Sequence, residues 1–119
     1  MSTREFGDSL EDYVIFLAKE YYDIELKKFT NSGAKNKNDS DFHDENFQFE
    51  CKRNGTKTKK GINDLKFSIK EWNKVCDEAR TRNKMPAMVN GCNNLDKSSI
   101  TLKLKDFMKL YEAYIQHME

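Results

Sequence analysis

The residues best suited to chemistry in this chain are two aspartates, Asp39 and Asp41, followed at hairpin distance by Glu50-Cys51-Lys52. Successive side chains of a β-strand alternate faces, so Glu50 and Lys52 share one face while Cys51 joins Phe47 and Phe49 on the other. A turn centred on Glu45-Asn46 sets Asp41 opposite Glu50 and Phe42 opposite Phe49. A turn centred on Asp44-Glu45 instead sets Asp39 opposite Glu50 and Phe42 opposite Phe47. Either register pairs two carboxylates across neighbouring strands, at a Cβ separation of about 4.5–5.5 Å. Such a pair repels unless a cation lies between its members, and Mg²⁺, which takes one or two carboxylates plus water and phosphate oxygens, is the natural occupant. A carboxylate-held metal beside a lysine can activate water, polarise a non-bridging oxygen and relieve the charge that develops as a phosphodiester is hydrolysed. In a chain that is 34% charged the same pattern also arises by chance, and its plain reading is then a solvated strand face.

The elements that must position these residues follow from periodicity. Ser2 and Glu5 form a capping box, and Phe6, Leu10, Val14, Leu17 and Tyr21 recur at helical steps, which predicts a first helix ending near Tyr22. Ile24 to Phe29 reads as a strand stopped by Asn31-Ser32-Gly33, and residues 40–43 and 46–53 read as a hairpin with one apolar face. Arg53 to Lys60 reads as a basic, Gly-containing loop. Ser68 to Glu71 is a second capping box, opening a helix whose Ile69, Trp72, Val75, Cys76 and Ala79 are expected inside, with Pro86 just beyond it. Ala87 to Cys92 reads as a short strand, and Ile100 to Leu104 as another with Ile100, Leu102 and Leu104 inward. Phe107, Leu110, Tyr111, Tyr114 and Met118 mark a closing helix. The order α-β-β-β-α-β-β-α predicts an α/β fold, a central mixed sheet flanked by helices, in one domain over residues 1–119.

Charge placement sharpens the functional reading. Net charge is only +1, which excludes a uniformly basic nucleic-acid coat. Residues 39–50 nevertheless hold Asp39, Asp41, Asp44, Glu45 and Glu50 with no cation, and residues 51–62 hold Lys52, Arg53, Lys57, Lys59 and Lys60 with no acid. An acidic cluster beside a basic one suits a metal held against a phosphate, and the cations would neutralise phosphates and release counterions. Lys35 and Lys37 are weaker candidates on the opposite lip. Cys51, Cys76 and Cys92 lack C-x-x-C spacing, and His43 and His117 lack partners at ligand spacing, so a zinc site finds no support. The thiols, and apolar runs far short of the ~20 residues of a membrane span, point to a cytoplasmic protein.

Taken together, the acidic residue, the E-x-K pair and their surroundings resemble the Holliday junction resolvases of phages and archaea, within the PD-(D/E)XK nuclease superfamily. Gly7-x-x-x-Glu11 is similar to the family's helix-borne glutamate, and Ser32-Gly33-Ala34 to the small-residue loop before the catalytic aspartate. Asp41, favoured over Asp39 because a serine precedes it and an apolar residue follows, resembles that aspartate, and Glu50 and Lys52 the E-x-K pair. Phe67-Ser68-Ile69 before the Trp72 to Ala79 helix, and Asn83-Lys84-Met85-Pro86-Ala87 after it, resemble the family's helix, G-K-x-P and core strand, with Asn83 in place of glycine. The resemblance implies a restriction-endonuclease-like fold and a metal-dependent endodeoxyribonuclease. Asp41, Glu50 and Glu11 would be Mg²⁺ ligands, with Mn²⁺ a substitute, and Lys52 the charge stabiliser. It also implies branched DNA, such as a four-way junction, as substrate, and a two-fold homodimer to cut two strands symmetrically. Apolar residues of the closing helix, Met108 or Ile115 for example, are contact candidates.

Overall fold

A computed structural model of the chain describes residues 10–29, 41–53 and 55–119. Ser2, Glu5, Gly7, the Ser32-Gly33-Ala34 loop, Lys35, Lys37 and Asp39 lie outside the described residues. The elements in order are α1 (Leu10–Tyr22), β1 (Lys27–Lys28), β2 (Phe42–His43), β3 (Phe47–Lys52), β4 (Lys57–Thr58), β5 (Gly61–Ile62), α2 (Ile69–Thr81), β6 (Met85–Asn90), a 3-10 turn (Leu95–Lys97), β7 (Ser99–Leu102) and α3 (Leu104–Met118). Five strands form one sheet in the order β1-β2-β3-β6-β7, with β3 and β6 parallel and the other neighbours antiparallel. This is the expected α/β arrangement of a mixed sheet flanked by helices. No helix among the described residues is long and apolar enough to cross a membrane.

The two sheet faces are built differently. On one, Phe42, Phe49, Ala87 and Val89 are buried with Leu10, Leu26 and Leu95, and Tyr13, Val14 and Ala18 of α1 pack against them. The Phe42 and Phe49 rings stack at 4.9 Å. Burying a side chain of this size contributes about 1.5–3 kcal/mol. The opposite face is covered by α2, which packs on β3 and β6 through Val75, Glu78 and Ala79. A strand paired in parallel and covered on both sides is buried on both. Gln48 and Glu50 therefore lie inside, and the prospect of a solvated strand face is overturned.

Local chemistry sets the chain reversals. Asp44 Oδ1 accepts from the backbone N–H groups of Asn46 and Phe47 at 2.9 and 2.8 Å, closing the β2–β3 turn. Ser68 caps α2 by accepting from the Glu71 N–H at 3.3 Å. At the other end of α2 the Lys84 N–H donates to the Ala79 carbonyl and the Asn83 N–H to that of Arg80, a Schellman closure. That closure requires a left-handed residue, and Asn83 supplies it at φ +56. Asparagine tolerates this region better than other non-glycine residues.

Several expectations are corrected. The Arg53 to Lys60 segment is no plain loop: it leads into the β4–β5 hairpin. The strand read as Ala87 to Cys92 runs instead from Met85 to Asn90, so Pro86, which does lie beyond α2, falls inside it near its start, where a missing N–H is tolerated. The first strand is shorter than Ile24 to Phe29, and β7 ends at Leu102, so Leu104 belongs to α3. Ile69, Ile100, Leu104 and the whole apolar stripe of α3 are exposed. Periodicity identifies an apolar face and not what covers it, and α3 leaves the sheet instead of folding back on it.

Candidate functional site

The ladder between β2 and β3 pairs Phe42 with Phe49 and His43 with Gln48, which is the register centred on Glu45-Asn46. One step further along, Asp41 comes opposite Glu50. Two hydrogen bonds hold it there: its backbone N–H donates to the Phe49 carbonyl at 2.9 Å, and its Oδ2 accepts from the Cys51 N–H at 2.7 Å. The strand that carries Glu50 and Lys52 thus also fixes the aspartate. The parallel register sets Met88 beside Glu50 and Asn90 beside Lys52.

Glu50 is 4% exposed, and its Oε1 meets the Lys52 ammonium at 3.4 Å. The same ammonium lies 3.5 Å from Glu71 Oε2, on the first turn of α2. Burial alone would lower the Lys52 pKa. The Glu50 and Glu71 carboxylates, with Asp41 further off, overcome it and hold the pKa above its ordinary value. Lys52 is therefore cationic throughout the neutral range, able to stabilise negative charge and unsuited to act as a base.

Glu11 stands differently. Its carboxylate lies 3.9 Å from the Lys28 ammonium, which pairs more closely with Asp12 at 2.7 Å. The hydrogen bond that Lys28 donates to Asp12 raises the Lys28 pKa, opposed by burial and aided by the charges of Asp12, Glu11 and Asp41. Glu11 is thus linked electrostatically to Asp41 through a shared lysine. Among the described residues no three His, Cys, Asp or Glu side chains are gathered so as to hold a metal. The carboxylates gathered around the Lys52 ammonium are those of Glu50 and Glu71, with Asp41 opposite Glu50 in the ladder.

The basic residues follow directly from this end of β3. Arg53, Lys57, Gly61, Ile62 and Asn93 line a cleft of about 340 Å³. Asn93 ties it together: its N–H donates to the Ile62 carbonyl at 2.6 Å, its Nδ2 to that of Lys60 at 2.9 Å, and its Oδ1 accepts from Arg53 at 3.4 Å. Lys57, Lys59 and Lys60 are exposed on the hairpin. Sequence reasoning missed two residues of the site. Glu71 was read only as half of a capping box, and Asn90, 3% exposed and donating to the Lys66 carbonyl at 3.0 Å, only as part of the Ala87 to Cys92 strand. Helical phase could have placed Glu71 over β3; nothing in the sequence pointed to Asn90. Comparison of the chain with protein-family models, with curated proteins and with solved structures finds no match.

Proposed function

We propose that this chain is a metal-dependent endodeoxyribonuclease of the PD-(D/E)XK type, with a restriction-endonuclease-like sheet, that hydrolyses phosphodiester bonds in branched DNA. The observation that carries this reading is the convergence of Asp41, Glu50 and Lys52 at the end of β3, where the cationic segment from Arg53 begins. Asp41 and Glu50 would hold Mg²⁺, or Mn²⁺ in its place, which supplies an activated water and an electrophile for the phosphate. Lys52, kept cationic by its carboxylate neighbours, balances the charge that grows on the phosphate oxygens. Glu71 holds the Lys52 ammonium from the side of α2. Glu11, through Lys28, tunes the field at Asp41 and is a third ligand candidate. Arg53, Lys57, Lys59 and Lys60 neutralise the phosphates that flank the cut.

The test is cleavage of a labelled four-way junction and a matched linear duplex with Mg²⁺ or Mn²⁺, comparing the native chain with Glu50→Gln and Lys52→Ala. Paired, metal-dependent cuts confined to the junction and lost in both variants are the expected result. Equal cutting of the duplex would shift the reading to a general nuclease. Binding without cutting would leave a DNA-binding module and refute the chemistry.

A further inference from the structure

The connection between the β4–β5 hairpin and α2, residues 63–68, carries more open apolar surface than a link requires. Leu65 and Phe67, with Ile69 at the start of α2, are exposed by 43%, 47% and 63%. The Phe67 ring leans on that of Trp72, with centroids 6.3 Å and planes 52° apart, and nearly half of the residue stays open. The backbone beneath these side chains is tied down along its length. The Asp64 carboxylate accepts from the Thr56 N–H at 2.6 Å, and Asn63 Nδ2 donates to Thr58 Oγ1 at 3.2 Å, which joins the connection to the cationic hairpin. Asn90 Nδ2 donates to the Lys66 carbonyl at 3.0 Å and so anchors it to the strand position beside Lys52. Ser68 then caps α2, whose Glu71 meets the Lys52 ammonium at 3.5 Å. A fixed backbone with bare side chains is preorganised for contact, since little freedom remains to be lost on binding.

We infer that this surface stacks against unpaired bases where DNA strands part, with Phe67 as the platform; the inference rests on the reading of the chain as an enzyme of branched DNA. Charge selects the occupant. From Lys57 to Lys70 the sequence holds Lys57, Lys59, Lys60, Lys66 and Lys70 against a single acid, Asp64, whose carboxylate is engaged by Thr56. Cations interleaved with apolar side chains suit a nucleic-acid strand, whose phosphates and bases they meet in turn. The core of a protein interface is depleted in lysine, which weighs against a protein partner. Base pairing selects the form of the strand. A continuous duplex stacks its bases on one another, so an exposed phenylalanine gains little from it. Where strands part, base faces are uncovered and a ring can stand in for the missing neighbour. Position agrees with this. The anchor of the platform is Asn90, beside Lys52, which puts Phe67 at the end of the sheet where Asp41, Glu50 and Lys52 converge. Asn90 is thereby a positioning residue for the DNA surface.

Fluorescence anisotropy of the full chain, without divalent metal so that no strand is cut, tests the inference on oligothymidine, a forked duplex with thymine arms and a blunt duplex. Phe67→Ala, its fold verified by circular dichroism, should bind the fork and oligothymidine about tenfold or more weakly, the scale of one lost base–aromatic stack, and the blunt duplex within about twofold of the native chain. Phe67→Tyr should restore the native preference. A fluorescent adenine analogue at the fork should change its emission when the native chain binds, while one inside the paired arm should not. Unchanged emission at the fork, a Phe67→Ala variant that binds the fork as the native chain does, or one weakened equally on every DNA overturns the stacking surface and leaves the nuclease reading standing. A native chain that binds a four-way junction but neither the fork nor oligothymidine does the same. A native chain that binds none of these DNAs overturns the nuclease reading and this inference with it.

Discussion

Replacing Lys52 with methionine should cost the fold substantially, because of what it leaves behind. The Glu50 carboxylate is almost wholly removed from water and meets the Lys52 ammonium at 3.4 Å. At an effective dielectric of ~20 this contact is worth about 5 kcal/mol gross. Part of that offsets desolvation of the ammonium, on a side chain one-third exposed, a cost that the variant no longer bears. A net loss of about 2 kcal/mol remains, below the 3–5 kcal/mol typical of fully buried pairs. Urea unfolding at neutral pH should register this as a midpoint lowered by roughly 1–2 M, at the slope typical of small domains. The double variant Glu50→Gln with Lys52→Met should recover much of the loss, since it removes the more deeply buried of the two carboxylates left without their cation.

The pH dependence carries a second check on the same argument. In Lys52→Met the buried Glu50 has lost its cation, so its folded pKa rises above the unfolded one and folding then favours the protonated acid. The deficit against the native chain should shrink as pH falls toward the ordinary carboxylate range. A single variant within about 0.5 kcal/mol of the native chain, or a double variant no better than the single, would show that Glu50 and Lys52 are not energetically coupled. The proposed role of Lys52 as a fixed cation would then lose its basis.

Three further outcomes follow from the geometry. The His43 pKa is lowered by burial and by the nearby Lys84 and Arg82, so the fold prefers its neutral form. Its stabilising contribution is complete above the ordinary value of 6.5 and is lost as pH falls through the lowered one; His43→Asn should flatten the acid side of a thermal-stability profile, and an unchanged profile would discount the shift. Gln48 is fully buried, with neither amide atom hydrogen-bonded among the described residues, so Gln48→Met should raise stability by about 1 kcal/mol in denaturant titration; destabilisation would point to a partner for the amide. At Gly61, φ is +95 and an added Cβ would run into the Asn93 side chain; Gly61→Ala should cost about 1–2 kcal/mol and weaken DNA binding with a shallower salt dependence, read by fluorescence anisotropy. Unaltered affinity there would separate the hairpin from the DNA surface.

The parts of the fold that were legible in the sequence are those fixed by local chemistry. The alternation through Phe47, Phe49 and Cys51 set the strand, and an Asp44 side chain able to bond the following N–H groups set the turn that brings Asp41 opposite Glu50. The Ser68 cap opened α2 where expected. What failed depends on packing between distant segments. Nothing local to Glu50 indicates that α2 will cover it, or that Glu71 will reach Lys52 across the sheet. Arg53 to Lys60 carries too few apolar residues to declare a hairpin, whose anchor, Asn93, lies far along the chain. The stripe on α3 was legible as a stripe, but an apolar face looks the same whether its cover is its own chain or another.

β3 itself offers the strongest physical reason to look for chemistry here. Its face toward α1 is phenylalanine packed on alanine, valine and leucine, and needs no further account. Its other face, equally shielded, carries Gln48, Glu50 and Lys52, with Asn90 alongside. Ion pairs taken out of water are a poor route to stability, since apolar residues of similar size usually serve as well or better. A strand optimised only to hold the sheet would therefore carry aliphatic side chains at these positions. The polar face instead runs toward the end of the strand where Asp41 is fixed and the cationic segment begins. Departures from the best folding solution are expected where a site makes demands of its own. If the apolar double variant Glu50→Leu with Lys52→Met is more stable than the native chain and inert toward DNA, the buried charges serve function at the expense of the fold. If it is less stable, they are part of the architecture and the case for chemistry at this end of the sheet weakens.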